Sequence, residues 1–473
     1  MAGDGFLRKK TKIVCTIGPA SEAPETLRRL IEAGMDVARL NFSHGAYDEH
    51  ARSFESIRRA AGEAGREVAV LLDIQGPKIR TAPETRLELA EGQVILVGPP
   101  GEGRDLVIDY PYLAEDLRPG ASIFLCDGLI ELVVEEVEGD LLRCRVARGG
   151  EVGGRKGVTL PGVTVRLPAV TEKDVEDIKF GAGLGVDMVA ASFVRRPESI
   201  HEVRGILRAA GSSAAVIAKI ENREGLENLE EIIEAADGLM IARGDLGVEL
   251  PPEEIPLIQK AIIARCNQVG KPVITATEML ESMVRNPRPT RAEVTDVANA
   301  ILDGTDATML SAETAVGKYP VESVRMMAEI ARRTEASPRY EELLANRRIE
   351  TTASIADAIS HATCQTARDL DLAAIITATQ SGSTARLIAK FRPKAPIIAV
   401  TPNPEVARQL CLVWGVHPVI VEPSDSTDAM FEACERAAKS TGLVARGDLV
   451  AITVGVRTGV PGSTNLLKIQ RLT

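Results

Sequence analysis

Two stretches of the chain end an apolar run in charged residues. VIAKIENREG (216–225) carries Lys219 and Glu221, and MIARGDLGVEL (240–250) carries Arg243 and Asp245. Two carboxylates from neighbouring strand ends suit a hard divalent cation, Mg2+ or Mn2+, that takes its remaining ligands from water and from a substrate carboxylate or phosphate. Lys219 and Glu221 are two residues apart, so in a strand both point the same way, and a lysine beside the metal would stabilise developing negative charge. A salt-bridge network with no ligand is the alternative use of the same residues. ARLNFSHG (38–45) places Arg39, Asn41 and Ser43 on alternate positions and therefore on one side of a strand end. An arginine with two oxygen donors can grip a phosphate, or a phosphate together with a monovalent cation; for Arg39 a buried ion pair is the alternative. VLLDIQGPKIRT (70–81) adds Asp73 and Arg80, and leaves Lys78 just past a buried run, where a lysine is not an obvious choice. Thr275 and Thr277 in VITATEMLESM, and Ser311 beside Glu313 in MLSAETA, are hydroxyls able to position a proton donor or water, although threonine also fills strands by propensity. No Cys–His or Ser–His–Asp grouping competes. In-line phosphoryl transfer, which needs positioning and charge neutralisation more than covalent chemistry, matches these residue types.

Such residues need a scaffold that gathers strand ends at one place. Eight short apolar runs alternate with amphipathic helical stretches: 12–17, 36–41, 68–74, 186–193, 214–221, 238–245, 272–277 and 306–313. That pattern predicts a parallel (β/α)8 barrel, whose sites lie where the strands end. Between the third and fourth runs the period changes to two, with turns such as VEGDLL and RGGEVGGRKG, which predicts a small inserted β domain placed as a lid. A second α/β alternation starts near residue 350, with a helix from 353 and strands AAIITAT, PIIAV, HPVIV and LVAITVG. The expected organisation is a catalytic barrel over 1–81 and 169–345, an inserted β barrel over 82–168, and a C-terminal α/β domain with a mostly parallel sheet over 346–473. In that last domain TATQSGSTARLIAKF (377–391) places Thr379, Ser381, Gly382, Ser383 and Thr384 between a strand and a helix start, which suits a phosphate; an ordinary capped helix is the alternative.

Composition narrows the partners. The net charge of -11 and 3% aromatic content argue against nucleic acid, so any phosphate bound should be small and held in a local basic pocket. Seven cysteines (15, 126, 144, 266, 364, 411 and 434) never fall in C-x-x-C spacing, which disfavours structural zinc and a secreted disulfide framework. No apolar run reaches membrane-spanning length, and MAGDGFLRKKTKIV lacks the apolar core of a signal peptide, so a cytoplasmic protein is expected.

TKIVCTIGPAS, ARLNFSHG, LLDIQGPKIRT, GVTLPG, AKIENREG, IARGDLGVEL, ATEMLESM and PTRAEVTDVANAILDGTDATMLSAETAVGKYP together resemble the pyruvate kinase family over nearly the whole chain. The resemblance implies transfer of the phosphoryl group of phosphoenolpyruvate to ADP, giving ATP and pyruvate at the last step of glycolysis, with Mg2+ or Mn2+ and closure of the insert. It implies that Arg39 and Lys219 contact the phosphoryl group, that Lys219 also steadies the enolate oxygen, and that Glu221 and Asp245 hold the metal. Amides around Gly244 and Asp245, with Thr277, would receive the substrate carboxylate; Thr277 and Ser311 would deliver the proton; Pro19, His44, Arg80 and Arg196 would line the nucleotide side. In many relatives a glutamate stands at position 78, and Asn41, Ser43, Asp73 and the next carbonyl hold K+. A branch with lysine there, preceded by an aliphatic residue and glutamine as in Ile74 and Gln75, works without K+, its ammonium supplying the missing charge. The C-terminal loop would be an effector pocket faced by VRTGVPGST, and Gln380, lacking a positive charge, favours a sugar monophosphate or AMP over a bisphosphate. A homotetramer is implied as well. Glu278, Arg196 and Cys126 depart from common family residues and qualify nucleotide contact and lid docking. A metal-dependent lyase acting on pyruvate or phosphoenolpyruvate, or a silent metabolite sensor, are the rival readings; the sensor would have lost strand-end residues, and none is lost.

Overall fold

The computed structural model describes residues 9–347, 349, 351, 354–424, 426–455 and 464–473. Eight parallel strands close a barrel: Lys12–Thr16, Val37–Asn41, Ala69–Asp73, Met188–Ala191, Ala215–Ile220, Gly238–Ala242, Val273–Ala276 and Ala307–Leu310, each paired with its sequence neighbours and the last with the first. Each of the eight expected runs contains one strand, but 238–245 and 306–313 reach past it into the helices Arg243–Glu249 and Ala312–Ala315, and 186–193 overreaches its strand by two residues at each end. Side chains alternate across each strand. One file therefore packs under the helices, while the other fills the barrel with Val14, Val37, Leu71, Ala190, Ile217, Met240, Ile274 and Met309. Carried two residues further, the inward file becomes Thr16, Arg39, Asp73, Ser192, Lys219 and Ser311. The interior thus changes from apolar to polar at one level, the carboxyl ends of six of the eight strands, while the sixth and seventh close on Ala242 and Ala276.

The chain leaves the barrel after Asp73 through Gly76, at φ +69°, where a Cβ would come within 2.8 Å of Ser192 Cβ. Only glycine fits so close a crossing. The Gly76 N–H donates to Asp174 at 3.0 Å, and the same carboxylate caps its own helix, Glu172–Leu184, by accepting from Thr171 N. Exit from and return to the barrel are thus tied together. The insert has its own apolar core, including Ile95, Val97, Leu106, Ile123, Leu125, Leu132, Val134 and Leu142. Its strands make a six-stranded mixed sheet and a separate two-stranded ribbon around that core, instead of one hydrogen-bonded ring. The edge strands Leu106–Val107 and Val158–Thr159 have two residues each, too few to close the ring.

The C-terminal domain is a five-stranded sheet. Val416–Ile420, Ile397–Thr401, Ala374–Ala378 and Leu449–Gly455 run parallel, and Thr464–Arg471 adds an antiparallel edge. This fifth strand was not expected from TNLLKIQR, whose half-exposed residues show no two-residue alternation. The domain docks under the barrel, at the strand starts. Cys411 and Leu412 join the apolar filling of the barrel, Lys12 Nζ donates to the Val416 carbonyl (2.6 Å), and Arg408 Nε meets Asp187 at 2.6 Å. Arg392 reaches the Gly304 carbonyl (2.8 Å) and Asp306 (3.0 Å) and lies over the Trp414 ring. Among the described residues no helix is long and apolar enough to cross a membrane.

Candidate active site

Asp73 is the hub of the strand-end cluster. Its buried carboxylate accepts from Arg39 Nε (2.7 Å) and Lys219 Nζ (3.1 Å), and Ser192 Oγ lies 3.3 Å away. Arg39 also donates to Thr16 Oγ1 at 2.8 Å, and Lys219 to Ser192 Oγ at 2.6 Å. Lys219 Nζ stands 2.9 Å from Glu221 Oε1, while Glu221 Oε2 accepts from the Phe193 N–H at 2.6 Å. Burial alone would push the Asp73 carboxyl up, but Lys219 and Arg39 hold it below the usual carboxylate range. Burial would likewise lower Lys219, but Asp73 and Glu221 raise it and keep the ammonium charged. Glu221 is pushed up by burial and then by Asp245, with Lys219 opposing. A buried carboxylate raised by a second one at a strand-end mouth fits a divalent cation, which would relieve that repulsion. Among the described residues no three His, Cys, Asp or Glu side chains cluster to hold a metal, so a cation here draws most of its ligands from water and substrate.

Asp245 lies on the short helix Arg243–Glu249 that follows the sixth strand. The neighbouring Gly244 N–H donates to Thr277 Oγ1 at 2.7 Å. Thr277 and Glu278 both take positive φ, 68° and 56°. A β-branched residue pays for that conformation in strain, and such strain persists only where surrounding contacts impose it. Arg243 supplies them: it donates to the Ala276 and Thr277 carbonyls and pairs with Asp296. Ser311 sits apart at the end of the eighth strand, its N–H donating to the buried Glu313 at 2.6 Å.

Lys78 is placed differently from expectation. Asn41 Oδ1 accepts from the Ser43 N–H (3.2 Å), but the Lys78 ammonium does not join that pair or Asp73. It lies 3.3 Å from Asp245 Oδ1 and 3.9 Å from Asp127 Oδ1 of the insert, and 5.8 Å from the centre of the Phe193 ring. Asp73 already meets two cations, whose repulsion a third would have to overcome, whereas Asp245 offers an unmatched carboxylate. Gly157 makes room, since a Cβ there would stand 2.8 Å from Lys78 Cε.

On the nucleotide side, Arg80 donates to the Arg155 carbonyl of the insert (2.9 Å), Arg196 pairs with Glu224 (2.7 Å), and the His44 carbonyl faces His50 Nε2 (2.9 Å). Pro19 lies on the turn after the first strand. Between insert and barrel opens a small cleft of about 140 Å³ lined by Lys78, Phe193, Glu221, Asp245 and Glu249 and by Val158, Leu160 and Val163 of the insert. Ser192, Phe193, Asp127 and Arg243 are the site residues that sequence reasoning left without a role. Ser192 follows the same rule of polar strand closure as the others and could have been found by it.

In the C-terminal domain Gly382 caps the helix Ser383–Lys390 at φ 80°. Its N–H donates to Thr379 Oγ1 (2.9 Å), Ser381 Oγ donates to Ser383 Oγ (3.2 Å), and Thr384 pairs with the buried Thr464 (2.6 Å). The facing stretch VRTGVPGST lies, except for Thr464, outside the described residues.

The family profile described as "Pyruvate kinase, barrel domain" matches residues 8–324, and "Pyruvate kinase, alpha/beta domain" matches 357–470. A pyruvate kinase of Geobacillus stearothermophilus is 53% identical over 473 residues, covering 98% of this chain and 80% of that protein. One from Staphylococcus aureus strain MRSA252 is 51% identical over 469 residues, with the same coverage of both chains. The fold, the charged strand ends and these matches agree that the chain belongs to the pyruvate kinase family of phosphotransferases.

Proposed function

We propose that this chain transfers the phosphoryl group of phosphoenolpyruvate to ADP at the mouth of the barrel, and that its own strand-end residues divide the work as follows. Arg39 and Lys219 bind the phosphoryl oxygens, because both are charged, partly or fully buried and held by one carboxylate, Asp73, so neither must reorganise as charge develops. Glu221 and Asp245 would hold Mg2+, which when bound would supply Lewis-acid stabilisation of the charge that develops on the substrate oxygens. The substrate carboxylate faces the Gly244 and Asp245 amides at the helix start, where Thr277 now accepts the Gly244 N–H. Lys219, next to Glu221, remains to steady the enolate oxygen after transfer, and the Thr277 and Ser311 hydroxyls guide the proton to carbon. Pro19, His44, Arg80 and Arg196 take the nucleotide. The observation that carries the reading is the buried Lys219–Asp73–Arg39 ion cluster, a preformed cationic seat at the one level of the barrel where the interior turns polar.

A coupled assay with phosphoenolpyruvate, ADP and Mg2+ tests it: pyruvate must form only when ADP is present. Pyruvate release without ADP would favour the lyase reading, and no turnover the sensor. Three further properties belong to the proposal. Lys78, with Ile74 and Gln75, makes K+ dispensable, its charge acting from beside Asp245 and not from within the Asn41, Ser43 and Asp73 pocket. The Thr379–Thr384 loop takes a phosphorylated effector, a sugar monophosphate or AMP. The enzyme works in the cytoplasm as a homotetramer.

A further inference from the structure

One ammonium stands between two functions. Lys78 Nζ is 3.3 Å from Asp245 Oδ1, the carboxylate assigned above to the divalent cation, and 3.9 Å from Asp127 Oδ1 on the insert. The three groups have unequal freedom. Asp127 is exposed at 83% of its side chain, whereas Lys78 is 24% and Asp245 35% exposed. The turn carrying Asp127 is imposed, since Cys126 and Asp127 both adopt positive φ, 53° and 55°. Gly157 keeps open the channel through which the lysine stem passes. Two lysines thus serve the two proposed metal ligands: Lys219 faces Glu221, and Lys78 faces Asp245.

We infer that Lys78 is a positioning residue that competes with the divalent cation for Asp245 and, when outcompeted, turns its charge to Asp127, so that metal binding tightens the docking of the insert. The inference rests on Asp245 being a metal ligand. A +2 ion and an ammonium on one carboxylate repel, and at about 5 Å even the dielectric of water makes that repulsion worth roughly tenfold in affinity. The flexible four-carbon stem lets the ammonium move by a few ångströms without moving the backbone. Asp127 is the nearest other carboxylate it has been shown to face.

Mn2+ binding, measured by titration calorimetry on the full chain without substrates, separates this from turnover. Lys78→Met should bind Mn2+ at least about tenfold more tightly than wild type, whereas Lys78→Arg should stay close to it. Asp127→Asn, at an exposed position that leaves the fold alone, should bind Mn2+ more weakly, because Lys78 is then left to Asp245. In Lys78→Met/Asp127→Asn that weakening should vanish. Mn2+ should slow hydrogen exchange of 126–128 in wild type and not in Lys78→Met. Unchanged Mn2+ affinity in Lys78→Met, or an Asp127→Asn effect that persists without Lys78, would overturn the inference. Failure of the phosphoryl-transfer reading would show instead in the coupled assay, with these Mn2+ affinities unaffected.

Discussion

Lys219 is the residue on which both chemistry and local stability converge. Replacing it by methionine removes a charge that would face the transferring group, takes the paired ammonium from the buried Glu221 and leaves the buried Asp73 to Arg39 alone. The expected result is a kcat at least about a thousandfold lower, since each ~1.4 kcal/mol of lost transition-state stabilisation is a factor of ten. A lower thermal midpoint should accompany it, because a broken buried pair leaves an uncompensated charge. A variant that keeps more than about a tenth of wild-type kcat would remove Lys219 from the mechanism. At position 78 the expectation is full wild-type activity with tetramethylammonium as the only monovalent cation, and a Lys78→Glu variant that is poor there and recovers with K+. Wild-type enzyme that loses most of its kcat when K+ is withdrawn contradicts it. The charged strand ends were legible in the sequence because inward parity and polar closure are local properties. The place of the Lys78 ammonium was not, because it depends on Asp127 and Gly157, which the insert brings in from far along the chain.

Among the elements, the docking of the insert on the helix Arg243–Glu249 carries a pH dependence. Glu249 is pushed up to about 7 by burial, against the pull of the Gly162 N–H that it accepts and of Arg223. A carboxyl raised in the folded form binds an extra proton there, so its contribution is fully present below its ordinary value near 4.5 and is lost as pH rises through about 7. Glu249→Gln keeps an acceptor for Gly162 and removes the buried charge. Its thermal midpoint should match wild type at pH 5 and exceed it at pH 8; equal midpoints at both pH values would show that Glu249 ionises without cost. The existence and order of the barrel strands followed from the sequence since parallel strands buried on both faces are unbroken apolar runs, while their ends did not, because the polar residues that close a run also open the next helix, as at Arg243. The antiparallel edge strand Thr464–Arg471 gave no such signal, as it has one half-exposed face and carries Lys468 and Arg471. The insert likewise announced its strands by alternation, but not whether they would close into a ring.

At the scale of the whole molecule, Arg392 links the C-terminal domain to the barrel through Gly304 and Asp306. Arg392→Met should cost about 3–5 kcal/mol, as the loss of one partner of a buried pair does. It should also split the calorimetric transition as the C-terminal domain melts first; a single, unshifted transition would mean that Leu412 and its neighbours hold the domains together unaided. For the proposed effector loop, a panel of phosphorylated metabolites titrated against phosphoenolpyruvate saturation should show half-saturation falling with AMP or a sugar monophosphate. Strong activation by fructose 1,6-bisphosphate alone would show that Gln380 does not set the preference. Among the described residues the contacts named between the C-terminal domain and the barrel lie where the strands begin, while the reacting groups stand where they end. Strands of four to six residues, on the order of 15 Å, lie between that interface and the reacting groups. The proposed effector loop, Thr379–Thr384, has no residue in common with the strand-end cluster, so substitution in it can change what it takes while the chemistry at the barrel mouth is inherited untouched.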